Sequence, residues 1–400
     1  MQAGGMRSDL PGFEHRVSEP IRVARVLCIF FVIYVHVSPG NSQIDIVGHG
    51  LRAFDVFHGM LVNTIGRASV ALLSAVSGYL TVHSLARVSF PSVLVRRVRS
   101  LLIPMAFWSA AFIGLALVGE HFQAGFIESS LRGPLTVERL PTLLIGVFGE
   151  PANLPLYFLR DLFVCVLFAP VLLVLLKRRV ALFAAFVAVV YVVGFNSVLF
   201  LSPNLFLFFA IGMWIAKSGK VPLSFPAPVI WLSVAGLLIV GGAATAAILS
   251  LTMGPDPLSA RMVEPLLALV RFPAAILFWA ASLWLAARPL GARLARIEPY
   301  IFFVFCAHTI LMFPVWYAWR SVFGEYYSPL YPIYFVFVPF YVIAASIVIV
   351  DIVSMVAPRF LSLVTGGRTL KQGMIIGRNR HPAPKPESKE YSGKLSERRR

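Results

Sequence analysis

Charge is scarce in this sequence. Asp, Glu, Lys and Arg make up 13% of its 400 residues, roughly half the share that soluble domains carry. So little charge cannot clothe a water-soluble body, while 58% of the residues are hydrophobic and the mean hydropathy is +0.81. Cysteine is rarer still. Cys28, Cys165 and Cys306 all fall inside apolar runs without metal-ligand spacing, which argues against a disulfide framework or a zinc site and for small packing residues. No metal site is expected. The first 20 residues are polar and mixed in charge, without a short apolar core leading to a cleavage site, so the first apolar run is expected to be a retained helix. No internal repeat is visible.

What the chain does have is long apolar runs, recurring from Arg25 to Pro358. A helix that crosses a bilayer takes about 20 such residues. The pattern predicts an all-α, polytopic membrane protein with ten spans, near 22–40, 61–84, 101–119, 154–176, 180–195, 198–216, 228–250, 265–287, 298–317 and 330–357. Lys and Arg set the orientation. With the N-terminus inside, 27 of them fall in inside segments and 5 in outside loops, which places both termini in the cytoplasm. The chain then divides into a cytoplasmic segment 1–21, a transmembrane domain 22–358 and a tail 359–400. The tail is rich in Pro, Ser, Lys and Arg and supplies +8 of the chain's net charge of +17. It is expected to be disordered and drawn to anionic membrane lipid; nucleic acid is not an expected partner.

An ionisable group within the hydrocarbon is costly unless it is paired or faces water. Arg25 and His36 are eleven residues apart in the first span, which puts the imidazole about 16 Å deeper and nearly on the same helix face. His308 comes twelve residues after Arg296 on another span running the same way, so the two imidazoles are expected at matched depth. Each either satisfies a neighbouring carbonyl or lines a shared cavity. In the second span Asn63, Arg67, Ser74 and Gly78 recur at helical spacing, with Ser77 beside them. That face is either a packing seam of small residues or a polar cavity wall; Arg67 favours the wall. Tyr157, Arg160 and Asp161 in the fourth span and Arg271 in the eighth add polar groups toward the outer side; adjacent Arg160 and Asp161 either line that vestibule or simply neutralise each other or the charges of other helices. On the inner side Arg96, Arg97 and Arg99 precede the third span. They either orient the helix or bind phosphate oxygens.

A basic site below, a histidine in the middle and a polar vestibule above suit group transfer through the membrane. Acyl-coenzyme A is held inside the cell, and many surface glycans are finished outside. A neutral imidazole is matched to removing a proton from a sugar hydroxyl as it attacks a thioester, with arginines stabilising the oxyanion. These residues also carry a resemblance. Arg25-x10-His36, "SAVSGYL" (74–80), "RRVRSLLIP" (96–104), "PLYFLRDLF" (155–163) and "FFVFCAHTI" (302–310) occur in order across about 22–350. Together they resemble the acyltransferase-3 family of bacterial membrane O-acyltransferases, in particular the branch that decorates exopolysaccharides such as succinoglycan.

The resemblance implies a multi-pass enzyme of the bacterial inner membrane. It implies that His36 is catalytic and Arg25 its essential partner, and that Arg67, Arg96, Arg97 and Arg99 serve the active site or the acyl donor. It implies acetyl- or succinyl-coenzyme A as co-substrate, with no bound cofactor, and a polysaccharide or lipid-linked sugar as acceptor. Polysaccharide-assembly proteins are candidate partners. Tyr157 stands where many relatives have Trp, and Leu154-Pro155 replaces a common His-Leu. The rival reading is a transporter or flippase, which would also keep charges and histidines in a cavity.

Overall fold

A computed structural model describes residues 11–40, 44–123, 125–194 and 199–368. Residues 1–10 and 369–400, which include much of the expected N-terminal segment and most of the expected tail, lie outside the described residues. The main elements are eleven helices: α1 (Pro11–Val35), α2 (Ala53–Arg87), α3 (Phe90–Phe122), α4 (Leu154–Arg178), α5 (Val180–Gly194), α6 (Pro203–Ser218), α7 (Ala227–Met253), α8 (Pro257–Ala286), α9 (Pro289–Phe323), α10 (Tyr331–Val356) and α11 (Pro358–Val364). Each of the ten expected spans is helical, and seven described helices, α2–α4 and α7–α10, are long and apolar enough to cross a membrane; α5 and α6 are shorter apolar helices.

Local chemistry marks the helix ends. Proline occupies the first turn of α6, α8, α9 and α11, where its missing N–H costs no helical hydrogen bond. Asp256 caps α8 by accepting from the Leu258 N–H at 3.1 Å.

α1 is central and packs against α2, α8, α9 and α10. α2 lies closest to α6, and two glycines permit that approach: a Cβ on Gly78 would strike the Phe209 carbonyl, and one on Gly212 the Ala75 carbonyl. The Gly78 end of the expected polar face of α2 is therefore a packing seam. On its other side α2 meets α7, where Thr64 Oγ1 donates to the Gly241 carbonyl at 3.2 Å.

Two π-helical stretches interrupt the long helices, Met60–Gly66 within α2 and Val98–Leu102 within α3. Such wide turns occur frequently at functional sites. One ends immediately before Arg67; the other contains Arg99.

The boundary of the tail also moves. Residues 359–368, expected as part of a disordered tail, form most of α11 and a short strap after it. Trp108 Nε1 of α3 donates to the Val364 carbonyl at 3.0 Å, holding that strap against the bundle.

Candidate active site

α1 and α9 run side by side and are joined twice. At one end Arg25 Nη1 donates to Glu298 Oε1 at 2.7 Å. Ten or eleven residues further along each helix, about 15–16 Å at helical rise, the rings of His36 and His308 face each other with centroids 5.3 Å apart and planes at 54°. The matched depth read from spacing is thus a direct contact. His36 is half-buried at the end of α1, whereas His308 is fully buried.

The tautomer of His308 follows from its partner. Its Nδ1 lies 2.6 Å from the Phe305 carbonyl, and a carbonyl only accepts, so Nδ1 carries the proton. In the neutral ring Nε2 then holds a lone pair, and that atom is buried without a hydrogen-bond partner. Asn153 fixes this stretch of α9 from outside. Its Nδ2 donates to the Cys306 carbonyl at 3.1 Å, and its Oδ1 accepts from Thr309 Oγ1 at 2.8 Å.

Toward the Arg25 end lies a cavity of about 520 Å³ lined by Arg25, Ser77, Arg97, Glu298, Phe305 and Arg368, among others. That volume is within the range of small-molecule sites. Phe158 and Phe305 also line this cavity, in edge-to-face contact with centroids 5.7 Å apart. Phe305 in turn approaches His308, with ring centroids at 6.0 Å, so Phe305 lines the cavity and also meets the buried imidazole, with Phe158 packed against it. A second cavity of about 430 Å³ is lined by Arg96, Arg97, Arg99 and Gly367. Arg97 and Gly367 belong to both linings, and Arg97 Nη2 also donates to Thr81 Oγ1 at 3.3 Å. The inner arginine cluster is therefore brought to one pair of adjoining cavities.

On the other side of the histidines, Arg67 lies within electrostatic range of His36, Tyr157 and Arg271. Arg67 is exposed, and Arg271 keeps a buried Nη1 without a hydrogen-bond partner. Three other residues expected in the cavity wall are engaged elsewhere. Ser74 is buried and donates to the Val70 carbonyl of its own helix at 2.9 Å. Asp161 is buried and accepts from Arg160 Nη1 at 2.8 Å and from the Leu201 and Ser202 N–H groups at 3.2 and 2.7 Å. Arg160 also donates to the carbonyls of Gly146 and Leu199 at 3.1 and 2.6 Å. This pair pins two turns to the start of α4, and the two charges neutralise each other.

Sequence spacing missed three contributors. Glu298 is the sole acidic residue of α9 and precedes His308 by ten residues, nearly repeating the interval from Arg25 to His36; that echo was the available signal. Asn153 sits in a connection, where no periodicity points to it. Arg368 belongs to the strap, and its Cζ lies 3.6 Å from the centre of the Phe302 ring. The cavity wets it, yet protein surrounds it closely enough to pull its pKa down to about 10, chiefly by desolvation; it is charged at neutral pH.

The profile of the acyltransferase-3 family, described as an acyltransferase domain, matches residues 20–351. The chain belongs to that family. It is also 30% identical over 364 residues to the succinoglycan biosynthesis protein ExoH of Rhizobium meliloti (strain 1021), an alignment covering 88% of this chain and 93% of that relative. No solved structure matches it. The protein is a polytopic membrane acyltransferase.

Proposed function

We propose that the protein transfers an acetyl or succinyl group from acyl-coenzyme A, entering from the cytoplasm, to a hydroxyl of an exopolysaccharide sugar or its lipid-linked precursor. The observation that carries this reading is the pair of helices joined by Arg25–Glu298 and by His36–His308, with an arginine-bearing cavity at the first junction and the imidazoles at the second. The relative's name, a succinoglycan biosynthesis protein, supports a sugar acceptor.

In this scheme both termini are cytoplasmic, and the phosphates of the donor rest among Arg96, Arg97 and Arg99. The thioester passes Phe158 and Phe305 to reach His36. The imidazole removes the proton from the acceptor hydroxyl as its oxygen attacks the thioester carbonyl. Arg67 and Arg271 favour the oxyanion that forms, because fixed cations in a site of low dielectric need no reorganisation. Collapse breaks the carbon–sulfur bond, and the leaving thiolate takes the proton back from His36. His308, held by the Phe305 carbonyl, orients its neighbour. Arg25 and Glu298 hold α1 in register with α9 and keep His36 and His308 opposed.

The test is mass spectrometry of surface polysaccharide from a deletion strain, complemented with wild type or with His36→Ala. The expected result is loss of one acyl mass, restored by wild type alone. Identical glycan in all strains would overturn the reading.

A further inference from the structure

The donor cavities carry more positive charge than their own residues balance. Arg25 is neutralised by Glu298. Arg97 and Arg368 line the same cavity and, among the described residues, neither has a carboxylate within ion-pair distance. Both lie within electrostatic range of Arg25. Gathering cations in a recess is unfavourable unless an anion joins them.

The strap that supplies Arg368 is built to stay in place. Thr365 Oγ1 donates to the Leu361 carbonyl at 2.7 Å, and Trp108 holds the Val364 carbonyl. Gly366 has φ +70 and lies so close to Ser100 that a Cβ would come within 2.7 Å of its backbone; only glycine meets both conditions. Gly367 follows at φ +80, at the junction of the two cavities. Arg368 then sits over Phe302, its Cζ 3.6 Å from the ring centre, and donates from Nη1 to the Thr365 carbonyl at 2.6 Å. Among the described residues that is its one guanidinium hydrogen bond.

We infer that Arg368, delivered by the strap after the last long span, is a donor-binding residue whose guanidinium joins Arg97 in holding the phosphate groups of acyl-coenzyme A. The inference rests on the donor named above. Guanidinium suits this task because its planar fork pairs with phosphate oxygens in a bidentate manner. Contact with Phe302 positions the group in advance. The inner site then consists of two parts, the arginines at the start of α3 and one cation returned by the chain after α10.

The experiment is equilibrium binding of coenzyme A to the full chain in lipid nanodiscs, together with steady-state kinetics. Arg368→Ala is expected to weaken coenzyme A binding by roughly tenfold or more, the worth of one hydrogen-bonded charged contact. It should raise the KM for donor while leaving kcat at saturating donor and the KM for acceptor near wild type. Arg368→Lys should recover part of the loss. Trp108→Phe keeps the ring but removes the bond to Val364, and should weaken binding in the same direction. Wild-type affinity in Arg368→Ala would overturn the inference while leaving the donor reading standing. Failure of the wild-type protein to bind coenzyme A would overturn the donor reading and the inference with it.

Discussion

His36 and His308 face each other from α1 and α9 with ring centroids 5.3 Å apart, and the proton on His308 Nδ1 is committed to the Phe305 carbonyl. Only one of the two rings, His36, is partly open. The pair is thus unequal, and on the scheme proposed above the imidazole of His36 meets substrate while that of His308 stands behind it.

That inequality predicts different losses. On that scheme His36→Ala removes the general base and should lower kcat by about 10²–10⁴-fold. His308→Ala leaves the base but unfixes it, and should cost on the order of 10²-fold without altering the KM for donor. Acyl transfer followed with purified protein checks both. Equal and complete loss in the two variants would count against the division of roles.

The Arg25–Glu298 pair is half-open, with side chains 39% and 18% exposed, so it is worth less than a fully buried pair. Glu298→Gln leaves Arg25 without its carboxylate and should destabilise the protein by about 1 kcal/mol. The Arg25→Gln/Glu298→Gln double variant should lose less stability than the two single changes added together. Thermal unfolding of the four proteins gives the coupling directly.

On the proposed route the thioester passes Phe305, which lines the cavity and meets His308, and Phe158, which packs against it. Opening that passage with Phe158→Ala should admit water as well as the thioester. The expected outcome is faster hydrolysis of acyl-coenzyme A without acceptor, measured as free thiol released. Unchanged background hydrolysis would show that the barrier lies elsewhere.

Gly78→Ala tests the seam between α2 and α6, where a methyl group would meet the Phe209 carbonyl. Overpacking against backbone should cost about 1–3 kcal/mol or more. Yield and melting temperature in detergent should fall, while the residual folded protein keeps its KM for donor.

Much of the architecture was legible because bilayer-crossing helices announce themselves by long apolar runs, and loops by Lys and Arg. The depth of His36 and His308 was legible for a related reason: rise per residue is fixed, so an interval of eleven or twelve residues is a distance. Which way Ser74, Arg160 and Asp161 point was not legible. Ser74 has its own helix's carbonyl as a ready acceptor. The direction of Arg160 and Asp161 depends on the turns at Gly146 and Leu199–Ser202, whose conformation no periodicity encodes. Arg368 was hidden by company, since the basic stretch around it reads as uniform charge.

The wide turn at Met60–Gly66 has a consequence for how tolerant α2 is to changes in length. Thr64 grips α7 before it ends and Gly78 grips α6 after it, and the two grips are in phase only because the coil between them is underwound. Deleting one residue from the wide turn would close it to ordinary pitch and leave the two halves nearly in phase, whereas deleting one from the regular turns that follow would rotate them by about 100° relative to each other. In that second case one grip would have to let go, and if Thr64 gave way Arg67 would swing with it.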